Sequence, residues 1–460
     1  MNVTQKHLKY QQKAIANQAQ STDGYQFFNM LTSPELLDLV EAQLPEHRER
    51  LYPPTITLSL FISQILSSDG SCQNVVNSYA ISRSFEGLKP CSPHTGAYCK
   101  ARQKLPLEMI SAITKGTGKL ISQKTPKAWH WQGRRVKLVD GTTVSMADTA
   151  KNQAVYPQQK SQKQGLGFPS ARMVALICLG SGAILDAAMG PCNGKGTGEH
   201  ALFRQLLDIL EPGDVILADR YYSSYWLIAT LSMMGVDVVF GQSGARKTDF
   251  RKGKRLAARD HLVRWKKPQQ CPQWMERAEY DQFPESLSVR ELESGGRVLV
   301  TTLLSSDDIP KSELSDLYKK RWNVELDLRN IKTTLGMETL RCKTPDMVEK
   351  EVWAYFLAYN LIRLLMCEAA AQCAIHPRQI SFKHTIQIWI SWDRHPWETV
   401  TEEQTAFLFV LIAQHRVGRR AGRIEPRAVK KRPKSYPKLM KPRPQAREEV
   451  RKNGHPKKLK

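Results

Sequence analysis

Hydrophobic positions along the chain change their period twice. From about residue 30 to 125 they recur at helical spacing. "SPELLDLVEAQL" opens on a Ser cap, "TITLSLFISQIL" is apolar enough to be buried, and "NVVNSYAISRSFEGLKPCSPHTGAYCKARQKL" reads as two short helices broken at Gly87 and Pro90. From Gly133 the period becomes two. "RRVKLVDGTTVSM" predicts a strand, and "RMVALICLGSGAILDAAMG" predicts a hairpin turning at Gly180-Ser181-Gly182. "GEHALFRQLLDIL" then reads as an amphipathic helix, "DVILADRYY" as a short buried strand, "SSYWLIATLSMMG" as a helix and "VDVVFGQ" as a strand. A meander followed by alternating helix and strand predicts the α/β class, a mixed sheet with helices on its faces.

Residues 241–295 interrupt that alternation with a basic, Pro-, Gln- and Trp-containing stretch in which "SLSVRELE" resembles a strand. "RVLVTTLL" then returns to the main sheet, and "VWAYFLAYNLIRLLMCEAAAQ" supplies a large apolar helix. The expected organisation is a helical N-terminal region over 1–128, a sheet domain in two parts (129–240 and 296–415), a basic β-rich insertion at 241–295, and a flexible basic tail at 416–460.

One helical stretch, "YKKRWNVELDLRNIK" at 318–332, departs from simple amphipathicity. Tyr318, Arg321, Glu325 and Lys332 fall within about one sixth of the helix circumference. Leu317, Val324, Leu328, Ile331 and Leu335 form the adjoining stripe that faces a core. The charges therefore border the buried seam and do not lie on the opposite face. A surface salt-bridge patch would also produce such i,i+4 pairs.

Charge narrows the partner. Lys plus Arg number 68 and Asp plus Glu 44, a net +24. The segment from Arg416 to Lys460 holds 18 of the basic and 3 of the acidic residues, together with six prolines. This balance favours a polyanion, nucleic acid ahead of an anionic membrane, with the tail contacting phosphate without reading sequence. The predicted helix with Thr95, Tyr98, Lys100, Arg102 and Lys104 suits a helix laid against DNA and equally a structural cap. The nine cysteines form no CxxC pair and no Cys/His ladder, so neither zinc nor a disulfide framework is expected. The polar N-terminus and the lack of any evident bilayer-length apolar run lead to the expectation of a soluble, cytoplasmic protein.

Two aspartates are read as ending strands where a chain leaves the sheet: Asp140 before Gly141, and Asp219 in "ILADRYY". Carboxyl ends of strands are where sites gather in α/β sheets. With Glu325 they would make three carboxylates that resist ionising together unless a cation is present. Two Mg²⁺ ions about 4 Å apart would suit such a cluster at a phosphodiester, one activating a water or hydroxyl and one stabilising the leaving oxygen. A lone Asp at a strand end is, however, commonly a turn former, and Asp148, Asp186, Asp214 and Asp237 occupy similar positions. Residue chemistry makes the trio plausible without selecting it.

The spacing Tyr-x2-Arg-x3-Glu-x6-Lys at 318, 321, 325 and 332 resembles the YREK signature of bacterial insertion-sequence DDE transposases. "LVDGTTVSM" and "ILADRYYSSYW" are similar to the motifs carrying that group's first and second aspartates. The resemblance runs from about residue 130 to 345 and more loosely to 412. It implies a ribonuclease H-like catalytic domain with a β-rich insertion between the second Asp and the Glu. It also implies cut-and-paste DNA transposition by metal-dependent cleavage and strand transfer. Carried over, Asp140, Asp219 and Glu325 are the catalytic metal ligands, with two Mg²⁺ (or Mn²⁺) ions. Tyr318, Arg321 and Lys332 hold DNA phosphates. The partners implied are the element's terminal inverted repeats and target DNA, bound by a homodimer. Members of the group often use a tryptophan of the insertion at a hairpin step; Trp265 and Trp274 are the candidates here. A transposase-derived repressor without activity, or a structure-selective nuclease on the same fold, are the alternatives.

Overall fold

The computed structural model describes residues 51–393, 401–418 and 437–455, with a few positions between 38 and 45. Most of "SPELLDLVEAQL", the N-terminal 37 residues and 419–436 of the tail lie outside the described residues.

Four helices come first: α1 Pro54–Leu66, α2 Cys72–Phe85, α3 Gly96–Lys104 and α4 Leu107–Gln123. Ser71 starts α2 by accepting the Asn74 N–H, and the chain between α2 and α3 is non-helical around Pro90. The exposed placement expected for α3 holds only in part. Tyr98 and Arg102 are buried, with both the Tyr98 hydroxyl and the Arg102 guanidinium donating to Gln64 Oε1 on α1 at 2.9 and 3.2 Å.

Next come β1 Val136–Met146, α5 Ala150–Val155, β2 Ser170–Cys178, β3 Ile184–Pro191, α6 Glu199–Arg204, β4 Val215–Ala218, α7 Tyr225–Met233 and β5 Asp237–Gly241. The remaining strands of the region are β6 Lys254–Ala257, β7 Asp260–Lys266, β8 Ser286–Ser294 and β9 Arg297–Thr301, with α8 Arg277–Gln282 between β7 and β8. They form one sheet in the order β3-β2-β1-β4-β5-β9-β8-β7-β6. β1, β2 and β3 are antiparallel neighbours, while β4 pairs parallel with β1 and β5 parallel with β4. This meander followed by two crossover strands is the ribonuclease H-like arrangement. β9, from "RVLVTTLL", pairs antiparallel with β5 in the main sheet, and β8, β7 and β6 of segment 241–295 follow outward as its extension.

The period-two pattern of β1 sorts its side chains between two cores. Leu138, Val144 and Met146 pack on the face covered by the long C-terminal helices. Val139 packs on the other face, with Ile216, Ala218, Val238, Phe240 and the apolar side of α6 and α7. At β2–β3 the turn uses Gly182 at φ +78°, where a Cβ would meet the Arg363 guanidinium at 2.4 Å, so both backbone and space require glycine.

The C-terminal half contributes α9 Lys311–Lys319, α10 Trp322–Arg329, a π-helical turn Asn330–Thr334, β10 Thr339–Leu340, α11 Pro345–Gln372, α12 Phe382–Asp393, α13 Glu402–Gln414 and α14 Arg443–Asn453. α11 corrects one expectation. It is long and apolar enough by length and composition to cross a bilayer, but 89 % of its apolar window is buried inside the protein. It is apolar on all sides because other elements, α4 and α13 among them, surround it at the centre of the larger core. α14 lies within the segment expected to be a flexible basic arm. Pro442 precedes it and Gly454 follows it at φ +75°, while Lys441–Glu449 and Arg451–Glu448 pair across its surface. None of its residues is buried.

Candidate active site

Asp140 does not end its strand, as the sequence suggested; β1 continues through Gly141 to Met146 against β2. The neighbour on its other side is what ends. β1 and β4 pair at Leu138–Leu217 and β4 stops at Ala218. Asp140 and Asp219 are each two residues beyond that pair, Asp140 within β1 and Asp219 at the matching position just past the end of β4. Lys137 and Asp214, buried and 2.6 Å apart, pin the same strand pair from its other end.

The aspartates that could have been confused with these have structural partners. Asp186 pairs with Lys115 at 2.9 Å, Asp214 with Lys137, Asp237 with Arg134 at 2.6 Å, and Asp148 accepts from Gln153 at 2.9 Å. Asp140 accepts its own Gly141 N–H and Asp219 the Tyr221 N–H, both at 2.8 Å. Among the described residues the one cation within ion-pair range of either is Arg321, 3.9 Å from Asp140. Burial, with the neighbouring charges of Asp219 and Glu199, pushes the Asp140 carboxyl up to about 6 against the opposing effects of the Gly141 N–H and Arg321.

The signature helix is not one straight helix. Lys320 and Arg321 form a turn between α9 and α10, and Lys332 lies in the π-helical segment, a local irregularity that recurs at functional sites. Even so, the four residues reach one region. Arg321 bonds Glu325 at 2.8 Å while facing Asp140. Lys332 donates to Thr142 on β1 at 3.2 Å. The Tyr318 hydroxyl sits where a Cβ on Gly241 would be only 2.6 Å from it, beside the Arg220 backbone. The structure thus brings Asp140, Asp219, Arg321, Glu325 and Lys332 to the end of β4, with Tyr318 at the adjoining end of β5.

Residues that sequence reasoning missed lie there too. Glu199, which the sequence showed only as part of the amphipathic helix "GEHALFRQLLDIL", places its carboxylate against Gly141 and accepts from the Tyr222 hydroxyl at 3.4 Å. Burial raises its pKa, which Arg172 opposes and Asp219 reinforces. No local pattern distinguishes it from an ordinary first-turn glutamate.

Residues 131–361 match the Transposase DDE domain family over half of the chain. The chain belongs to the DDE transposases. It is 29 % identical over 364 residues to the transposase InsG for insertion sequence element IS4 of Escherichia coli K12, covering 76 % of this chain and 79 % of that protein. The transposase for insertion sequence element IS421 of Escherichia coli is 35 % identical over 71 residues, 15 % of this chain and 19 % of that protein. A solved piggyBac transposase synaptic complex with hairpin DNA aligns over 86 % of each chain at a TM-score of 0.42 and 9 % identity.

This DDE transposase is therefore a DNA-acting enzyme that cleaves and joins strands and depends on a divalent metal. Its carboxylates suit that dependence. They are hard oxygen donors of the type that Mg²⁺ or Mn²⁺ takes; burial first and the neighbouring carboxylates second raise the Asp140 pKa, and Asp140 and Glu325 lie beside Arg321. Among the described residues no three carboxylate, imidazole or thiol groups already converge at ligating distance. Glu325 is turned onto Arg321, so joining the aspartates requires its side chain to leave the guanidinium.

Proposed function

We propose that Asp140, Asp219 and Glu325 together hold two Mg²⁺ ions, or Mn²⁺ in their place, for cut-and-paste transposition of the element that encodes this enzyme. The observation that supports this most is the matched position of Asp140 and Asp219 at the end of β4, with Arg321 linking Asp140 to Glu325. When bound, the cations polarise the scissile phosphate and favour deprotonation of the attacking hydroxyl.

The chain's own residues orient the DNA. Arg321 offers a planar fork to a phosphate and leaves Glu325 as it does so; Lys332 supplies a point charge and Tyr318 a hydroxyl donor. In cleavage, water oxygen bonds to phosphorus and the P–O3′ bond breaks, the departing 3′ oxygen taking a proton. In strand transfer that 3′-hydroxyl attacks a target phosphodiester and displaces another 3′ oxygen. The N-terminal region (1–128), the insertion (241–295) and the basic tail (416–460) share backbone contacts to the terminal inverted repeats and target, with steep salt dependence. A homodimer holds the two ends.

The test is incubation of the purified full chain with a labelled end duplex and Mg²⁺, beside Asp140→Ala. Cutting by the unaltered protein alone supports the assignment. Equal products from both proteins would remove Asp140 from the site.

A further inference from the structure

Gly141 follows Asp140 on β1 but is absent from the glycines with a positive φ, so its backbone does not demand glycine. Space does. A Cβ on Gly141 would lie 2.3 Å from Glu199 Cδ and 2.6 Å from its Oε1. Successive residues of a strand face opposite sides of the sheet, so Glu199 approaches from the α6 face while Asp140 lies on the other. The two can meet because β4 has ended at Ala218 and no strand flanks β1 there on that side.

α6 is fastened to the turn that carries Asp219. The Tyr222 hydroxyl donates to Glu199 Oε2, and His200 Nε2 lies 2.7 Å from the Tyr221 carbonyl oxygen as its donor. The His200 ring packs on both tyrosines, 4.9 and 5.6 Å between centroids. Glu199 is half-buried and, among the described residues, has no lysine, arginine or histidine within ion-pair distance. Burial and the charge of Asp219 disfavour its ionised form, Arg172 offsets them only in part, and a bound cation would favour it further.

We propose that Glu199 is a fourth carboxylate of the divalent-cation site, sharing a cation with Asp140 and Asp219 through the gap left by Gly141. This rests on the assignment of those two aspartates above. Glu325 serves the signature-helix side, where Arg321 holds it in the metal-free protein, and Glu199 serves the β4 side.

Mn²⁺ binding by the DNA-free full chain, measured by titration calorimetry and by electron paramagnetic resonance, tests it without reference to activity. Glu199→Gln keeps an oxygen that accepts from Tyr222 and removes the charge. We expect it to weaken Mn²⁺ binding on the order of 10–100-fold and to leave the metal-free melting temperature unchanged. Gly141→Ala, which displaces the carboxylate without altering any charge, should weaken binding similarly. Wild-type Mn²⁺ affinity in Glu199→Gln overturns the proposal. So does a loss matched in full by Tyr222→Phe, because Glu199 would then act only as a hydrogen-bond acceptor. Asp140→Asn separates the two layers: wild-type affinity in that variant sinks the underlying ligand assignment, whereas lost affinity there with none lost in Glu199→Gln sinks the fourth carboxylate alone.

Discussion

The Arg321 guanidinium lies 2.8 Å from the Glu325 carboxylate and faces Asp140 at 3.9 Å, so in the metal-free enzyme a side-chain cation stands between two of the carboxylates assigned to the metal. Arg321 then has two tasks that oppose each other in a measurable way. Arg321→Ala should bind Mn²⁺ several-fold more tightly in the absence of DNA, because no cation competes for Glu325. It should also cut an end duplex on the order of 10²-fold more slowly, having lost a charged donor at the reacting phosphate. Calorimetry and single-turnover cleavage on one preparation check both signs; weaker Mn²⁺ binding in this variant would contradict the competition.

Trp265 and Trp274 divide by environment. Trp265 is 3 % exposed, donates to Glu291 at 2.8 Å and lies under the Arg246 guanidinium. Trp274 is 46 % exposed, with the Arg204 guanidinium over its ring. Trp265→Ala should cost roughly 3–5 kcal/mol in urea unfolding through the cavity it leaves, Glu291 keeping Gln242 and His261 as partners. Trp274→Ala should change stability by less than about 1 kcal/mol. If a tryptophan of the insertion meets DNA, it is Trp274, and its loss should alter the cleavage products while the melting temperature holds.

Arg290 and Asp260 join β8 to β7 fully buried, with 2.6 and 2.8 Å bonds, and Arg290 also donates to the Ile309 carbonyl at 2.8 Å. Arg290→Ala leaves Asp260 buried without its partner and should cost about 3–5 kcal/mol. Replacing the pair together by Met and Leu should cost much less. Denaturant midpoints for the single and double variants check the difference.

His376 sets a pH dependence remote from the carboxylates. Burial, with the charges of Arg378, Arg363 and Lys320, pushes its pKa down to about 4. Its folded value is below the unfolded one near 6.5, so the unfolded chain binds more protons between those values. Its contribution to stability is complete above about pH 6.5 and is lost as the pH falls toward 4. His376→Asn, which can still accept the Arg378 N–H that His376 Nδ1 accepts at 3.2 Å, should flatten that window by roughly 1–3 kcal/mol. Melting temperatures across pH 4 to 7 for both proteins measure it.

What is local in this protein was legible from the order of its residues. The switch from helical to alternating period at Gly133, the turn at Gly182, the position of the charges beside the apolar seam of 318–332 and the order Asp140, Asp219, Glu325 all depend on near neighbours along the chain. So did the basic balance that pointed to DNA. Tertiary structure decided what depends on residues far apart. The register of β4 against β1 set Asp219 level with Asp140, while other tertiary contacts gave Asp186, Asp214 and Asp237 cations of their own and Asp148 the Gln153 amide. The turn at Arg321 and the π-helical segment at Lys332 departed from a uniform helix, yet Thr142, Asp140 and Glu325 gave those side chains their partners. Glu199 entered the site from the far face of the sheet only because β4 stops short and Gly141 has no side chain. The physical reason is that a carboxylate's surroundings are fixed by strand register and by which neighbour ends first, and neither is encoded in the few residues on either side of it.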